Sequence, residues 1–172
     1  MAILDTIKKR YSVRKYKSTP VEKEKVDAIL EAAHCAPTAA NKQPQKILVV
    51  QSPENLAKFS PGADIYDAPL VMLVCSDLNA AWVRPYDGKN MVDIDASIIT
   101  DHMMLTATDL GLGSCWITYF DPEAIRTAFA LPDNLIPVNI LAIGYSADQL
   151  QSPDRHSKTR KALNQTVSFE AF

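Results

Sequence analysis

Cationic and hydroxyl side chains alternate near the N-terminus, and this is the first pattern in the chain that could do chemistry. The stretch KKRYSVRKYK, residues 8–17, has Arg10, Ser12 and Arg14 at every second position. An extended backbone would place these three side chains on one face. Two guanidinium groups and a hydroxyl suit a phosphate. The tail cations Lys158 and Arg160 could supply the other half of such a site.

Two alternatives to a phosphate site remain open for this stretch. Cations are favourable at the C-terminal end of a helix, so Lys8, Lys9 and Arg10 could form a solvated helix end. The stretch could also contact nucleic acid. The chain has 18 basic and 20 acidic residues, a formal net charge of −2, and this balance argues against a general nucleic-acid binder.

The glycine pair and the cysteines indicate structure rather than catalysis. Residues 111–114, GLGS, follow a predicted helix, open a predicted strand and lack a third glycine, so they are not a dinucleotide fingerprint. Gly111 is expected to cap the helix, and Gly113 to leave the backbone free of a side chain. The widely spaced cysteines lie among apolar neighbours, which predicts reduced core thiols and no metal site: Cys35, Cys75 and Cys115.

Apolar periodicity predicts the elements that position these residues. Helices are expected from Ile3 to Tyr11, from Thr19-Pro20 with Thr19 and Glu22 as a capping box, after Ser52, over residues 93–110 and after Asp121. Buried strands are expected over residues 46–51, 69–76, 111–120 and 138–146. This alternation predicts an α/β or α+β fold with a buried sheet, in one domain spanning residues 1–172.

Two segments leave a choice of interpretation. Residues 93–110 are apolar or small on nearly every side, which predicts a central core helix, contact with a second subunit, or both. The connection 77–90 carries Trp82 and Tyr86. It could be a lid over a site, or a loop whose aromatic side chains pack on the core.

Four segments, taken in order, resemble the nitroreductase family of flavoproteins. They are RYSVRKY at 10–16, APTAANKQP at 36–44, GLGSCWI at 111–117 and KTRKAL at 158–163. Their order and spacing fit the family over nearly the whole chain. Gln45 departs from it, because the family often has an aromatic residue there. The connection 77–90 is short compared with larger members, so substrate-covering elements are expected to be reduced, and the aromatic candidates for substrate contact are Trp82, Tyr86 and Trp116.

The resemblance implies an α+β fold, an α/β/α sandwich with a central mixed sheet, in an intertwined homodimer. The tail, about 147–172, is expected to extend onto the partner subunit. FMN would lie at the dimer interface, with its phosphate on Arg10, Ser12 and either Lys158 or Arg160, and the pyrimidine edge of its ring near Arg14. The segment 37–39 would reach across from the partner chain. The full set of expected cofactor-binding residues is Arg10, Tyr11, Ser12, Arg14, Pro37, Thr38, Ala39, Asn41, Gln43, Gly113, Ser114, Lys158 and Arg160.

The activity implied by the resemblance is that of a cytoplasmic FMN-dependent oxidoreductase. NADH or NADPH would reduce the flavin and leave, and a nitroaromatic, quinone or enone would then take the electrons in a ping-pong cycle. The flavin carries the chemistry, so no catalytic side chain is assigned. No metal, nucleic acid or membrane is expected as a partner. The alternatives are a flavoenzyme of the same fold with other chemistry (dehalogenation, heterocycle oxidation or flavin breakdown), a flavin carrier without turnover, and a phosphate- or RNA-binding module.

Overall fold

The computed structural model describes residues 2–172, which form helices on both sides of one sheet. The elements are α1 (Ala2–Lys9), α2 (Lys23–Cys35), β1 (Gln45–Val50), α3 (Pro53–Leu56), β2 (Leu70–Asp77), α4 (Val92–Asp109), β3 (Gly113–Ile117), α5 (Pro122–Ala128), β4 (Leu135–Gly144) and α6 (His156–Thr159). All four predicted strands are present, with bounds shifted by a few residues. No helix among residues 2–172 is both long and apolar enough to cross a bilayer.

The sheet has the order β1-β2-β4-β3, and its neighbouring strands are all antiparallel. Side chains alternate along the central strands: Met72 and Leu141 point to one face, Leu73 and Ile140 to the other. The register shifts between Val74 and Cys75 of β2, where β4 has the extra residue Val138 next to Pro137, a residue that has no N–H to donate to the ladder. A parallel bridge between Ser12 and Ser114 adds the N-terminal segment to this sheet.

Two apolar cores lie on the two faces and give the α/β/α sandwich expected from the resemblance. On one face α4 packs on the sheet with α2 beside it, through Ile29, Ile99 and Met103. On the other face α5 and the turn after α3 contribute Ile125 and Phe59. The buried amide of Asn139 ties β4 to β3 and α4: it accepts the Trp116 indole N–H at 2.8 Å and donates to Thr100 Oγ1 at 3.1 Å.

Two predicted helix starts are confirmed and one is wrong. Ser52 caps α3, and Asp121 caps α5 by accepting the N–H groups of Glu123 and Ala124 at 2.9 and 3.1 Å. The predicted start at Thr19-Pro20 is wrong, because α2 begins at Lys23. The capping box is absent: the Glu22 carboxylate accepts the Tyr145 hydroxyl, with O···O distances of 2.7 and 2.8 Å.

The first helix also differs from its prediction. It ends at Lys9, so Tyr11 lies outside it. Within residues 3–9 the buried side chain is that of Thr6, which donates to Asp109 Oδ1 at 3.0 Å, whereas Ile3 and Ile7 are 62% and 43% exposed. The apolar stripe of α1 therefore faces away from the core of its own chain.

The solvent exposure of two side chains, those of Cys35 and Tyr86, bears on two further expectations. Cys75 and Cys115 are buried thiols, as expected, but Cys35 at the end of α2 is exposed. The connection 77–90 forms a small hairpin in which Val83 pairs with Asn90. Tyr86 at its tip is 96% exposed, so this side chain does not pack on the core.

Candidate functional site

The segment after α1 lies against the ends of β3 and β4. Ser12 bridges Ser114, and the Val13 N–H donates to the Ser114 carbonyl at 2.9 Å. Val13 is fully buried, so the segment has an inner face to which Arg14 does not belong. The charges of both Arg14 and Arg10 lower the pKa of the Cys115 thiol, against the larger effect of burial, which raises it. Both predicted arginines therefore lie near the same strand.

Three arginines converge where the tail meets the end of α1. The Arg155 guanidinium donates to the carbonyl oxygens of Lys8, at 3.0 Å, and of Arg10. Burial, followed by the charges of Arg155 and Arg160, lowers the pKa of Arg10, while Asp101 acts in the opposite direction. Within the described part of the chain, no carboxylate lies within ion-pair distance of these three guanidinium groups. We call Arg10, Arg155 and Arg160 the arginine cluster.

The two predicted tail cations have different outcomes. Arg160 acts electrostatically on Arg10, whereas Lys158 is exposed and its side chain forms no hydrogen bond or ion pair with residues 2–172. The sequence analysis did not assign Arg155 to the site. Its role depends on main-chain carbonyls about 145 positions away, and no spacing rule could have found this contact.

Tyr11 and Arg14 are fixed by residues that the sequence analysis did not single out. The Tyr11 hydroxyl is 3.0 Å from Ser146 Oγ. The Arg14 N–H donates to Asp148 Oδ2 at 2.7 Å, and its guanidinium carbon lies 5.8 Å from the centre of the Tyr66 ring. A side-chain hydrogen bond that the Arg14 guanidinium donates to Tyr66 raises the pKa of Arg14.

The loop of residues 37–43 has a strained backbone held by internal hydrogen bonds. Ala40, Asn41 and Gln43 have φ values of 49°, 51° and 49°, which residues other than glycine rarely adopt. Thr38 Oγ1 accepts the Gln43 N–H at 3.0 Å, and the Gln43 side-chain amide donates to the Asn41 carbonyl at 3.1 Å. Thr38 and Gln43 thus have structural roles within the loop.

A buried carboxylate supports the loop from behind. Asp95, in the first turns of α4, is 1% exposed, and its Oδ1 accepts the Ala39 N–H at 2.9 Å. Its Oδ2 is buried without a hydrogen-bond partner. No hydrogen bond or ion pair in residues 2–172 joins loop 37–43 to Arg10, Ser12 or Arg14. Within one chain, the predicted site residues therefore form two groups that are not hydrogen-bonded to each other.

The two glycines of the turn before β3 serve different purposes. Gly111 has φ 78°, and the Leu112 N–H donates to the Ala107 carbonyl at 2.9 Å, which confirms the helix cap. At Gly113 the reason is packing: a Cβ built there would be 2.6 Å from Val13 Cγ2. Ser114 is buried, and its hydroxyl has no hydrogen-bond partner.

Comparison with known proteins shows which family has this sequence pattern and this fold. The family model described as "Nitroreductase family" matches residues 7–63 and 60–145. A nitroreductase family protein from Clostridium difficile 630 superposes with a TM-score of 0.97 at 53% identity, covering 98% of each chain. An FMN-dependent nitroreductase from Clostridium difficile R20291 superposes with a TM-score of 0.81 at 30% identity, covering 98% of this chain and 99% of that one.

A curated relative leads to the same family. The FMN reductase [NAD(P)H] of Bacillus subtilis is 30% identical over 186 residues, which cover 97% of this chain and 74% of the relative. The matched family model spans most of the elements described above, from α1 to the end of β4. The chain belongs to the nitroreductase family.

Proposed function

We propose that this chain is an FMN-dependent oxidoreductase that takes hydride from NADH or NADPH and reduces a small organic acceptor. The observation that carries the proposal is the arginine cluster, which offers three guanidinium groups that form no ion pair with a carboxylate of residues 2–172. Relatives of the family named for FMN and for NAD(P)H support the choice of cofactor and donor. Nitroaromatics, quinones and enones are the proposed acceptor class.

The arginine cluster has the chemistry that a phosphate dianion requires. Arginine stays protonated at neutral pH even when partial burial lowers its pKa, and its planar fork matches phosphate oxygens. Arg155 donates to main-chain carbonyls, so it fastens the tail to the end of α1 and keeps Arg160 near Arg10. The Ser12 hydroxyl lies on the same segment and would add a neutral donor.

The remaining residues would orient the ring system. Arg14 is pinned through its main chain by Asp148 and through its side chain by Tyr66. A fixed cation near the pyrimidine edge stabilises the reduced, anionic ring and so shifts its potential. Bound FMN would supply the redox chemistry itself, exchanging electrons with the nucleotide and then with the acceptor. Lys158, whose side chain is exposed and forms no hydrogen bond or ion pair with residues 2–172, is the weaker of the two tail candidates.

The proposed site needs two copies of the chain. Loop 37–43 and the arginine cluster make no hydrogen bond to each other within residues 2–172, so a second copy would bring the loop of one chain to the arginines of the other. Apolar side chains exposed on α1 and the tail provide a surface for this contact, among them Ile3, Ile7, Leu163, Phe169 and Phe172. We therefore include a homodimer in the proposal.

The test is the absorption spectrum of the purified protein, before and after anaerobic addition of NADH or NADPH. The expected result is a yellow protein that one of the nucleotides bleaches, and whose colour returns when an acceptor such as a quinone is added. A protein that stays colourless after incubation with FMN would contradict the proposal. A yellow protein that neither nucleotide bleaches would be a flavin carrier, not this enzyme.

A charge variant tests the arginine cluster directly. Arg160→Ala and Arg10→Ala should each weaken FMN binding about tenfold or more, because a hydrogen bond to a charged group contributes about 1.5–3 kcal/mol. The matched control is Arg84→Ala, which removes an exposed arginine paired with Asp87 in the hairpin. Equal FMN affinity in all four proteins, measured by quenching of flavin fluorescence, would remove the cluster from the site.

A further inference from the structure

Four buried side-chain oxygen atoms in residues 2–172 have no hydrogen-bond partner, and three of them belong to one end of one core. They are Gln45 Oε1, Ser76 Oγ and Asp95 Oδ2, whereas the fourth is Ser114 Oγ. Ser76 and Asp95 are each 1% exposed, and Gln45 is half-buried. Buried polar atoms normally have a partner, so a group of three without one indicates a ligand. We call Gln45, Ser76 and Asp95 the polar triad.

Two members of the polar triad lie side by side on the sheet. Gln45 of β1 pairs with Ser76 of β2. Side chains alternate along a strand, so Gln45 shares its face with Ile47, and Ser76 shares its face with Val74. Both of these apolar residues pack in the core that α2 and α4 cover. Cross-strand partners on one face have Cβ atoms about 4.5–5.5 Å apart, so the two polar side chains enter this core together.

Asp95 belongs to the same end of this core and comes from α4. Its Oδ1 accepts the N–H of Ala39 at 2.9 Å. Ala39 lies in loop 37–43, which is followed after one residue by β1, whose first residue is Gln45. The third member of the polar triad is therefore tied to the segment that leads into the first, and all three lie beneath the loop.

The charge of Asp95 decides which kind of ligand fits. Within residues 2–172 its carboxylate accepts one hydrogen bond and forms no ion pair. A buried charge is costly unless it is paired or coordinates a metal ion. A water molecule would give hydrogen bonds to the polar triad but would leave this charge unpaired. A cation would satisfy both requirements.

The available oxygen atoms favour a monovalent ion. Carboxylate, amide and hydroxyl oxygens suit hard cations. One carboxylate balances one positive charge, and residues 2–172 contain no group of three His, Cys, Asp or Glu side chains that could hold a metal ion. Both facts argue against zinc or calcium. Position 45 is also where the chain departs from the aromatic residue common in the family, so the site is not expected in every member.

We propose that the polar triad binds an alkali cation, Na⁺ or K⁺, beneath loop 37–43. Its three unpartnered oxygen atoms would coordinate the ion, and main-chain carbonyls or water would complete the coordination. The ion would fix the Asp95 carboxylate and, through it, the Ala39 N–H of the loop. Binding needs only residues of the chain and does not require FMN. An effect of the ion on FMN affinity, through the loop, rests on the proposed function.

The test is thermal unfolding of the full chain as purified, in NaCl, KCl and tetramethylammonium chloride at equal ionic strength. Tetramethylammonium is too large to be coordinated by these oxygen atoms and controls for ionic strength. Na⁺ or K⁺ should raise the melting temperature with a saturable dependence on concentration. At ten times the dissociation constant of the ion, the equilibrium constant of unfolding should fall about elevenfold.

Substitutions in the polar triad locate the site. Asp95→Asn removes the charge and keeps an oxygen that can accept the Ala39 N–H, so it should abolish the difference between the salts. Gln45→Leu removes one oxygen ligand at a half-buried position and should raise the dissociation constant of the ion about tenfold or more. Asp93→Asn changes an exposed aspartate two positions before Asp95 and should keep the wild-type response. Melting in tetramethylammonium chloride shows whether each variant is folded.

The outcomes separate this inference from the proposed function. Equal melting temperatures in the three salts would mean that a proton or water takes this place, and would overturn the inference. An alkali response that persists unchanged in Gln45→Leu or in Asp95→Asn would place the ion elsewhere and would overturn it as well. A yellow, NAD(P)H-reactive protein without an alkali response would contradict the inference alone. A colourless protein whose alkali response is lost in Asp95→Asn would contradict the proposed function alone.

Discussion

At the scale of single residues, Gly113 has a packing role that its motif does not reveal. Its sequence context predicts a backbone free of a side chain, and the family resemblance implies that this turn passes beside a cofactor. In the structure the missing side chain makes room for Val13, whose buried side chain belongs to the segment that carries Arg10, Ser12 and Arg14. The glycine therefore positions the predicted phosphate ligands indirectly, by letting their segment pack against β3.

Gly113→Ala should destabilise the protein by about 1–3 kcal/mol, because the new methyl group overlaps Val13. Urea unfolding measures this loss. Val13→Ala alone should also destabilise the protein, by leaving a cavity. The double variant should lose less stability than the sum of the two single losses, because the smaller side chain at position 13 leaves room for the methyl group. Strict additivity would show that the contact between Gly113 and Val13 is unimportant.

The support that Asp95 gives to loop 37–43 could not be predicted from the sequence. A lone aspartate in the first turns of a helix suggests a favourable interaction with the helix dipole at an exposed position. The structure instead buries this carboxylate against the Ala39 N–H of loop 37–43. The contact spans 56 positions, so neither periodicity nor motif spacing could predict it.

Asp95→Ala should cost about 1–3 kcal/mol of stability, because the Ala39 N–H loses its buried acceptor. Under the proposed function it should also weaken FMN binding, since the strained loop loses its support. Asp95→Asn keeps an acceptor oxygen and should have the smaller effect on both. Asp93→Ala, which changes an exposed aspartate two positions earlier in α4, is the control. If Asp95→Ala had the same free energy of unfolding and the same FMN affinity as the wild type, this role of Asp95 would be ruled out.

At the scale of elements, the strands and two of the helix starts could be predicted from the sequence, because interactions between neighbouring residues decide them. All four strands follow apolar runs that pack on one or both faces of the sheet, and the helices after Ser52 and Asp121 begin with caps confined to a few neighbouring residues. The start of α2 was missed because its decisive contact is distant: the Glu22 carboxylate accepts a hydrogen bond from Tyr145, 123 positions away. Likewise a helix is present where α1 was predicted, but it ends at Lys9, before Tyr11, and its apolar stripe does not face the core of its own chain.

The two kinds of cap should respond differently to substitution. Asp121→Ala should destabilise the protein by about 1 kcal/mol, because two N–H groups of α5 lose their acceptor. Thr19→Ala changes a residue outside α2 whose hydroxyl caps nothing, so its effect should stay within about 0.5 kcal/mol. Thermal or urea unfolding of the two variants decides between these expectations. Equal losses would indicate that Thr19 does contribute to the start of α2.

At the scale of the whole molecule, an isolated chain would leave many apolar side chains exposed to solvent. The tail after α6 is exposed throughout, yet it contains Leu163, Phe169 and Phe172. The apolar stripe of α1 and Ile94 of α4 also face outward. Monomeric proteins rarely leave such apolar surface uncovered. The apolar character of residues 93–110 indicated possible contact with a second subunit. Only the structure shows which apolar side chains the chain itself leaves uncovered.

We predict that the full chain sediments as a dimer and that Ile7→Asp weakens the association. A buried isoleucine contributes about 1.5–3 kcal/mol, so placing a charge there should raise the dimer dissociation constant well over tenfold. FMN affinity should fall in parallel, because the proposed site takes loop 37–43 from the partner. Tyr86→Asp is the control: this side chain is more exposed than Ile7 but lies at the tip of the hairpin, and the variant should keep both the dimer and its FMN. A monomeric wild type that binds FMN would refute the two-chain site, and an unaffected Ile7→Asp dimer would place the interface away from α1.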